Sequence, residues 1–399
     1  MKIAILKERR PNETRVAGSP ETVKKFIALG VDVCVEKGAG AAASITDADY
    51  RDAGATIAAD AKTALNGTDV ILKVQRPMIE GEKSNELANF RPGQTLVCQM
   101  SALSEPEFTA ALAASGVTGF ALELMPRITR AQSMDILSSQ SNLAGYKSVL
   151  DAAAEFGRAF PMMMTAAGTV PPARVLIMGV GVAGLQAIAT AKRLGAVVSA
   201  TDVRPATKEQ VESLGGTFVA VEDEEFAQAQ TEGGYAKEMS EAYKEKQAAL
   251  IAETITKQDI VICTALIPGR PAPVLVSEDM VKTMKPGSVI VDLAVEAGGN
   301  CPLSKLGKVV SKYGVKILGH ANVPGRVPDD ASRLFARNIL NFLTPMIGED
   351  GQALNVDTDD EIVAGTLVTR EGAVVNDMFP ATTPVKAEPE AEPALEGET

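Results

Sequence analysis

Gly179, Gly181 and Gly184 lie in the run RVLIMGVGVAGLQAIATAKRLGAVVSATDVRP, between an apolar stretch at residues 175–178 and an alanine-rich helical stretch. That spacing suits the pyrophosphate of a dinucleotide. Gly179 permits a tight turn, Gly181 lets the backbone approach the phosphates, and Gly184 lets the helix pack close on the strand. Free N–H groups and the positive end of the helix dipole would then hold the anion. A second apolar run ends at Asp202, roughly 20 residues on, the distance at which an acid meets the ribose hydroxyls. A carboxylate there also repels a 2′-phosphate, so the pattern predicts NAD(H) rather than NADP(H). Arg204, two residues further, reads either as a solvated side chain at a helix start or as a phosphate contact.

Positioning these residues takes more than one sheet. Apolar runs alternate with helical patterns twice, as parallel sheets with crossover helices require. The first set falls at residues 2–6, 31–36, 70–74, 95–98 and 117–122, with a helix at 20–29 that stops at Gly30. The second begins at the glycine turn and continues through 217–221, 260–263, 288–293 and 315–318. A helix is predicted over 138–161, with Leu143, Tyr146, Leu150, Ala153 and Phe156 on one apolar face and Gly145 allowing close approach of another element. A second long helix is predicted over 330–343, after which strand-like residues 353–375 could return to the first sheet. The fold class is α/β, with two Rossmann-like doubly wound parallel-sheet domains joined by long helices. The boundaries implied are 1–136 plus 330–380 for one domain and 137–329 for the nucleotide-binding one.

Two segments break the pattern. Residues 222–247 are charged and carry Gly233 and Gly234, which fits a mobile lid over the nucleotide or a passive surface insertion. Residues 381–399 are rich in proline and glutamate with nothing apolar to bury, the composition of a disordered acidic tail.

The net charge of −12 over 399 residues argues against a nucleic-acid surface and against adsorption to anionic lipid. Cys34, Cys98, Cys263 and Cys301 form no close pair, and three lie in or beside apolar runs, so buried free thiols are predicted. The N-terminal apolar run is too short for a signal peptide and reads as a first strand. No stretch approaches the roughly 20 apolar residues of a membrane helix. A soluble chain without direct membrane insertion is expected, with any membrane role borrowed from a partner. His320 is the only histidine, and no cluster of metal ligands accompanies it.

Several longer segments are more specific than the glycines. MPRITRAQSMDILSSQSNLAGY (residues 125–146), GVGVAGLQAIA, GGYAKEM, TALIPGRPAP and VDLAVEAGGNCP together closely resemble the NAD(H)-binding component of proton-translocating nicotinamide nucleotide transhydrogenase. Alanine dehydrogenase is the wider relative. The resemblance implies a homodimer, peripheral on the cytoplasmic face of the cell membrane. It further implies an NADP(H)-binding partner subunit and an integral membrane proton-channel subunit. It also implies site roles. Arg127, Gln132 and Asp135 would orient the nicotinamide, with Ser138 following at the helix start. Val182 and Ala183 would join the three glycines, Val203 would flank Asp202, and Gly234 and Tyr235 would tip a closing loop. Thr264, Ala265 and Leu266 would line the nucleotide from a strand end. Apart from the resemblance, Asn322 lies just past a predicted strand end, where such sheets line the ligand crevice, and is expected to contact the carboxamide.

The chemistry separates the two relatives. Hydride transfer between nicotinamides moves a hydride from carbon to carbon and no proton, so it needs two rings in contact with water excluded. An amino-acid dehydrogenase must also titrate a substrate atom and clamp a carboxylate. Arg15 and Lys73 match positions that resemble its substrate contacts, but Gln99 stands where a histidine is expected and Glu296 where an aspartate is. Glutamine is no general acid near neutral pH. A self-sufficient alanine dehydrogenase-like enzyme is thus the alternative, and Arg15 and Lys73 are expected to be ion-pair partners instead of substrate clamps.

Overall fold

The computed structural model describes residues 1–229, 239–267 and 269–379. Gly234 and Tyr235, and the tail predicted at 381–399, lie outside the described residues.

Two large sheets carry the fold. The first is built from β1 (Lys2–Ile5), β2 (Asp32–Glu36), β3 (Thr56–Ala58), β4 (Val70–Gln75), β5 (Thr95–Gln99) and β6 (Thr118–Ala121). A small hairpin follows, β7 (Met163–Thr165) with β8 (Gly168–Val170). The second large sheet holds β9 (Arg174–Met178), β10 (Val197–Thr201), β11 (Thr217–Phe218), β12 (Ile260–Cys263), β13 (Val289–Asp292), β14 (Lys308–Lys312) and β15 (Val315–Gly319). The chain then returns, and β16 (Leu367–Arg370) and β17 (Ala373–Val374) add to the first sheet beside β6.

The strand orders are β17-β16-β6-β5-β4-β1-β2-β3 and β11-β10-β9-β12-β13-β15-β14. Each contains the doubly wound reversal, where a crossover leads to the other side of the starting strand. In the second sheet that reversal falls between β9 and β12, which pair in parallel from Val175↔Ile260 to Met178↔Cys263. Both faces of this sheet are covered. Val175, Ile177, Ile260 and Ile262 pack on one side, and Leu176, Met178, Val261 and Cys263 on the other. Strands buried on both faces read as unbroken apolar runs, which is why they were visible in the sequence.

The short edge elements were not predicted. Lys308–Lys312 is largely exposed and pairs antiparallel with β15, so it carries no apolar run. β3 and the β7–β8 hairpin are three residues per strand, below the length at which a pattern shows. The expected strand at 217–221 is ordered as a strand only over Thr217–Phe218. Within 222–247, the described residues include helices at Glu224–Ala227 and Glu241–Ile255, so part of the segment read as a break is helical. All four cysteines are free and buried, as predicted.

The helix expected over 138–161 spans Ile136–Glu155, and its predicted apolar face is corrected in part: Phe156 and Ala153 pack in the second core, while Leu143 and Leu150 are half-buried. Tyr146 is 39% exposed, whereas Gln140, Ala144, Gly145, Ser148, Val149, Asp151 and Ala152 are buried. Polar residues can face inward because their groups are satisfied. The Ser148 hydroxyl donates to the Gly145 carbonyl, and Asp151 pairs with Arg326 at 3.1 Å. Gly145 does allow close approach, since a Cβ there would collide with the Ala183 carbonyl oxygen of the Val182–Arg193 helix. The other long helix, Pro328–Leu343, opens on a proline and buries Phe335, Ile339, Leu340 and Phe342.

Candidate functional site: a strand-end crevice with a glycine turn

The chain leaves β9 at Met178 and enters a turn in which Gly179 has φ 97°, a conformation glycine adopts without strain. A Cβ on Gly179 would also stand 2.7 Å from the Thr264 hydroxyl oxygen. Thr264 follows β12 and bridges the reversal point. Its hydroxyl donates to the Gly179 carbonyl at 2.9 Å and its N–H to the Met178 carbonyl at 2.9 Å. Gly184 packs the helix onto this turn, since a Cβ there would collide with the Gly179 carbonyl oxygen.

Gly181 differs from its neighbours. Its φ of −79° suits any residue, and nothing lies within 4 Å of where its Cβ would stand. It opens the Val182–Arg193 helix without a side-chain cap. The first-turn N–H groups of Val182, Ala183 and Gly184 have no earlier turn of helix to bond to, and they carry the dipole's positive end. Open space in front of an uncapped helix start is what a pyrophosphate requires, and these residues fit that group.

Asp202 follows β10 and its carboxylate is held on four sides. Oδ2 accepts the Val180 N–H at 2.7 Å and Oδ1 accepts the Arg204 N–H at 2.9 Å. The Arg204 guanidinium then forks onto both oxygens, Nε to Oδ1 at 2.8 Å and Nη2 to Oδ2 at 2.9 Å. Arg204 is therefore neither a freely solvated side chain nor a waiting phosphate contact. Its hydrogen bonds to Asp202 raise the guanidinium pKa further. Val203 between them is half exposed.

The 127–135 loop leads into the other helix of the packed pair. Arg127 and Gln132 are exposed, while Ala131 and Met134 are anchored in the core. Asp135 caps the Ile136–Glu155 helix by accepting the Ser138 N–H at 3.1 Å, and the Ser138 hydroxyl donates to the same carboxylate. These two predicted residues are thus partners of each other. Because Gly145 of this helix abuts Ala183, the loop's helix and the glycine-turn helix are locked together.

Thr264, Ala265 and Leu266 run out along the strand ends, with Leu266 exposed. Two residues that sequence reasoning did not single out hold this turn. Asn300, fully buried, accepts the Ala265 N–H at 3.2 Å and donates to the carbonyls of Ala265 at 2.9 Å and Pro273 at 2.7 Å. Asp292 in turn fixes Asn300, accepting its N–H at 3.1 Å and the Ser304 hydroxyl at 2.6 Å. The position of Asp292 at the end of a buried strand was the available signal. Asn322 sits at the seam between the sheets, in the left-handed region at φ 45°. Its side-chain amide donates to the Asn12 carbonyl at 2.9 Å, and its N–H to Glu296 at 3.1 Å.

The cations that match the alanine dehydrogenase pattern are committed elsewhere. Lys73 is fully buried between Glu8 at 3.3 Å and Glu86 at 3.2 Å. Arg15 pairs with Glu13 at 2.7 Å and donates to Gln140 at 2.9 Å. Burial alone would raise the Glu13 carboxyl, but Arg15 holds it below its ordinary pKa. Burial also lowers the His320 imidazole, with Arg326 acting in the same direction. Among the described residues no group of three or more His, Cys, Asp or Glu side chains is placed to hold a metal ion.

Residues 4–144 match the family described as Alanine dehydrogenase/PNT, N-terminal domain, and residues 148–377 match Alanine dehydrogenase/PNT, C-terminal domain. An NAD(P) transhydrogenase subunit alpha protein of Rhodospirillum rubrum is 64% identical over 376 residues, covering 94% of this chain and 98% of that one. A transhydrogenase structure from Sinorhizobium meliloti superposes with a TM-score of 0.84 at 56% identity, over 94% of this chain and 100% of that one. An L-alanine dehydrogenase structure gives 0.77 at 26% identity, over 95% and 98%. The chain belongs to the alanine dehydrogenase/PNT family, among its NAD(P) transhydrogenase alpha subunits.

Proposed function

We propose that this chain holds NADH in the strand-end crevice and passes its hydride to NADP+ carried by a partner subunit. A membrane subunit would couple that step to proton movement, with this chain peripheral on the cytoplasmic face. The observation that carries the reading is the combination of an open glycine turn with Lys73 and Arg15 neutralised by carboxylates of this chain. A crevice of that kind grips a dinucleotide and offers no spare cation from this pair to clamp a small acid.

When bound, the nicotinamide supplies the hydride, and the protein's task is to bind, orient and exclude water. The uncapped N–H groups after Gly181 would take the pyrophosphate, and Asp202 the ribose. Thr264, Ala265 and Leu266 would line the nucleotide, and Asn322 would border the ring. Gln132 offers an amide donor and acceptor for the carboxamide, with Arg127 beside it and Asp135 and Ser138 fixing the loop's end. Gly234 and Tyr235 would close over the nucleotide. No helix among the described residues is long and apolar enough to cross a membrane, in keeping with a peripheral role.

Mixing the purified chain with an NADP(H)-loaded partner should give hydride exchange between nucleotide analogues, with no exchange by the chain alone. NADH oxidation by pyruvate and ammonia without any partner would instead establish the dehydrogenase reading.

The homodimer belongs to the same proposal. Met162, Met163 and Met164 are all exposed at the β7–β8 hairpin, Met164 at 79%, and Leu137 and Tyr146 are exposed on the Ile136–Glu155 helix. Apolar side chains concentrated on a projecting ribbon and on one long helix suit burial against a second copy. The double variant Met163→Asp, Met164→Asp should sediment at half the native mass while NADH affinity is retained. An unchanged mass would move the dimer contact elsewhere.

A further inference from the structure

The loop carrying Gln132 is wound as a 3-10 helix over Thr129–Met134, and Arg130 within it forks onto Asp360 at 2.7 and 3.0 Å on the exposed side. Ala131 and Met134 anchor it in the core, but apolar contacts are not directional enough to aim the exposed Gln132 between them. The directional restraint from a neighbouring helix on the residue next to Gln132 falls on the Ser133 carbonyl. It accepts the Asn338 side-chain N–H at 2.9 Å and the Asn341 side-chain N–H at 3.0 Å, both from the Pro328–Leu343 helix. Three residues apart, these two amides lie on one helix face.

Asn338 is itself locked. It is 7% exposed, and its Oδ1 accepts the Ser139 hydroxyl at 2.7 Å. A carbonyl can only accept, so the amide must present Nδ2 to Ser133, which leaves its Oδ1 to accept from the Ser139 hydroxyl beneath. Behind Ser139 stands Gln140, whose amide donates to Ser139 at 3.2 Å and to the Ala331 carbonyl at 3.1 Å. Gln140 in turn accepts from the buried Arg15. The carbonyl next to Gln132 is thus the end of a satisfied polar chain that begins at a buried ion pair. Such a chain favours one arrangement, since turning the Asn338 amide would set its oxygen against the Ser133 carbonyl.

We infer that Asn338 is a positioning residue for hydride transfer. It orients Gln132, and through it the nicotinamide ring, by holding the Ser133 carbonyl. This rests on the reading of the 127–135 loop as the nicotinamide site. Hydride transfer demands near-contact geometry, and misplacement by about 1 Å can cost on the order of a hundredfold in rate. Binding affinity depends largely on the pyrophosphate and ribose contacts, which Asn338 does not touch. Loss of its restraint therefore acts on kcat and spares affinity.

The test uses the full chain reconstituted with its NADP(H)-bearing partner. Asn338→Asp keeps the shape and the acceptor for Ser139 but replaces the donor facing Ser133 with an oxygen. The expected result is a kcat for hydride exchange lowered at least about tenfold. NADH affinity should stay within about threefold of native, and the fluorescence of bound NADH should change as the ring's surroundings loosen. An unchanged kcat, or affinity falling as far as kcat while helical circular dichroism stays native, overturns the inference. Should Asn338→Asp fail to fold, Ser139→Ala removes the hydroxyl that supports the amide from beneath and leaves Asn338 in place. It should lower kcat by about threefold or more at native affinity, and native kcat there also overturns the inference. Absence of exchange by the native chain with a competent partner marks failure of the functional reading itself, which these variants do not address.

Discussion

Gly181→Val should lower NADH affinity by more than about a hundredfold while the fold survives. The backbone at Gly181 has φ −79°, which valine adopts, and its Cβ would enter space with no atom within 4 Å. A valine at a helix N-cap costs on the order of 1 kcal/mol, which lowers Tm by about 2–4 °C in a domain of this size. The space that costs the empty protein nothing is the space the phosphates must use. Losing two charge-assisted hydrogen bonds at about 1.5 kcal/mol each gives the hundredfold effect. Calorimetric titration with NADH beside a thermal melt separates the two quantities. Gly184→Ala makes the contrast, since its Cβ meets the Gly179 carbonyl oxygen and should destabilise the turn before any ligand arrives. Native affinity in Gly181→Val would mean that the pyrophosphate lies elsewhere.

Asp202→Asn should weaken NADH by about tenfold to a hundredfold, the value of a charge-assisted contact at about 1.5–3 kcal/mol. The same change should narrow the preference over NADPH, and the Arg204 pairing supplies the reason. In the native chain the guanidinium is forked onto both carboxylate oxygens and its charge is spent there. An asparagine leaves Arg204 without its counter-charge, next to where a 2′-phosphate would stand. The double variant Asp202→Asn, Arg204→Ala should therefore lose the NADPH gain and keep the NADH loss. Dissociation constants for both nucleotides at fixed ionic strength decide it. An unchanged nucleotide preference in the single variant would show that the ribose does not meet Asp202.

What the sequence made legible was local. Gly179 and Gly184 stood out because turn geometry and close packing exclude a Cβ, and Gly181 because phosphates need the space a side chain would take; only spacing along the chain is needed to see that. The buried strands stood out because a strand covered on both faces is apolar throughout. Gly145 was recognised as a point of close approach for the same steric reason as Gly184. The buried face of the helix that carries Gly145 was nevertheless only partly recognised, at Ala153 and Phe156. Hydrophobicity pointed to Leu143 and Tyr146, whereas the buried side holds Gln140, Ser148 and Asp151. A polar residue can be buried when a partner waits for it, and those partners, such as Arg15 and Arg326, come from distant stretches of the chain.

The same division runs through the candidate site. From the residues alone came the fold class, the glycine turn and the acid at the second strand's end, because periodicity and backbone sterics act over a few neighbouring positions. Only the tertiary structure decided that Arg204 spends its charge on Asp202, that Asn300 and Asp292 hold the strand-end turn, and that Asn338 grips the loop at Ser133. A hydrogen bond needs its donor and acceptor within about 3 Å, a condition no spacing in the chain can express when the partner lies 205 residues away.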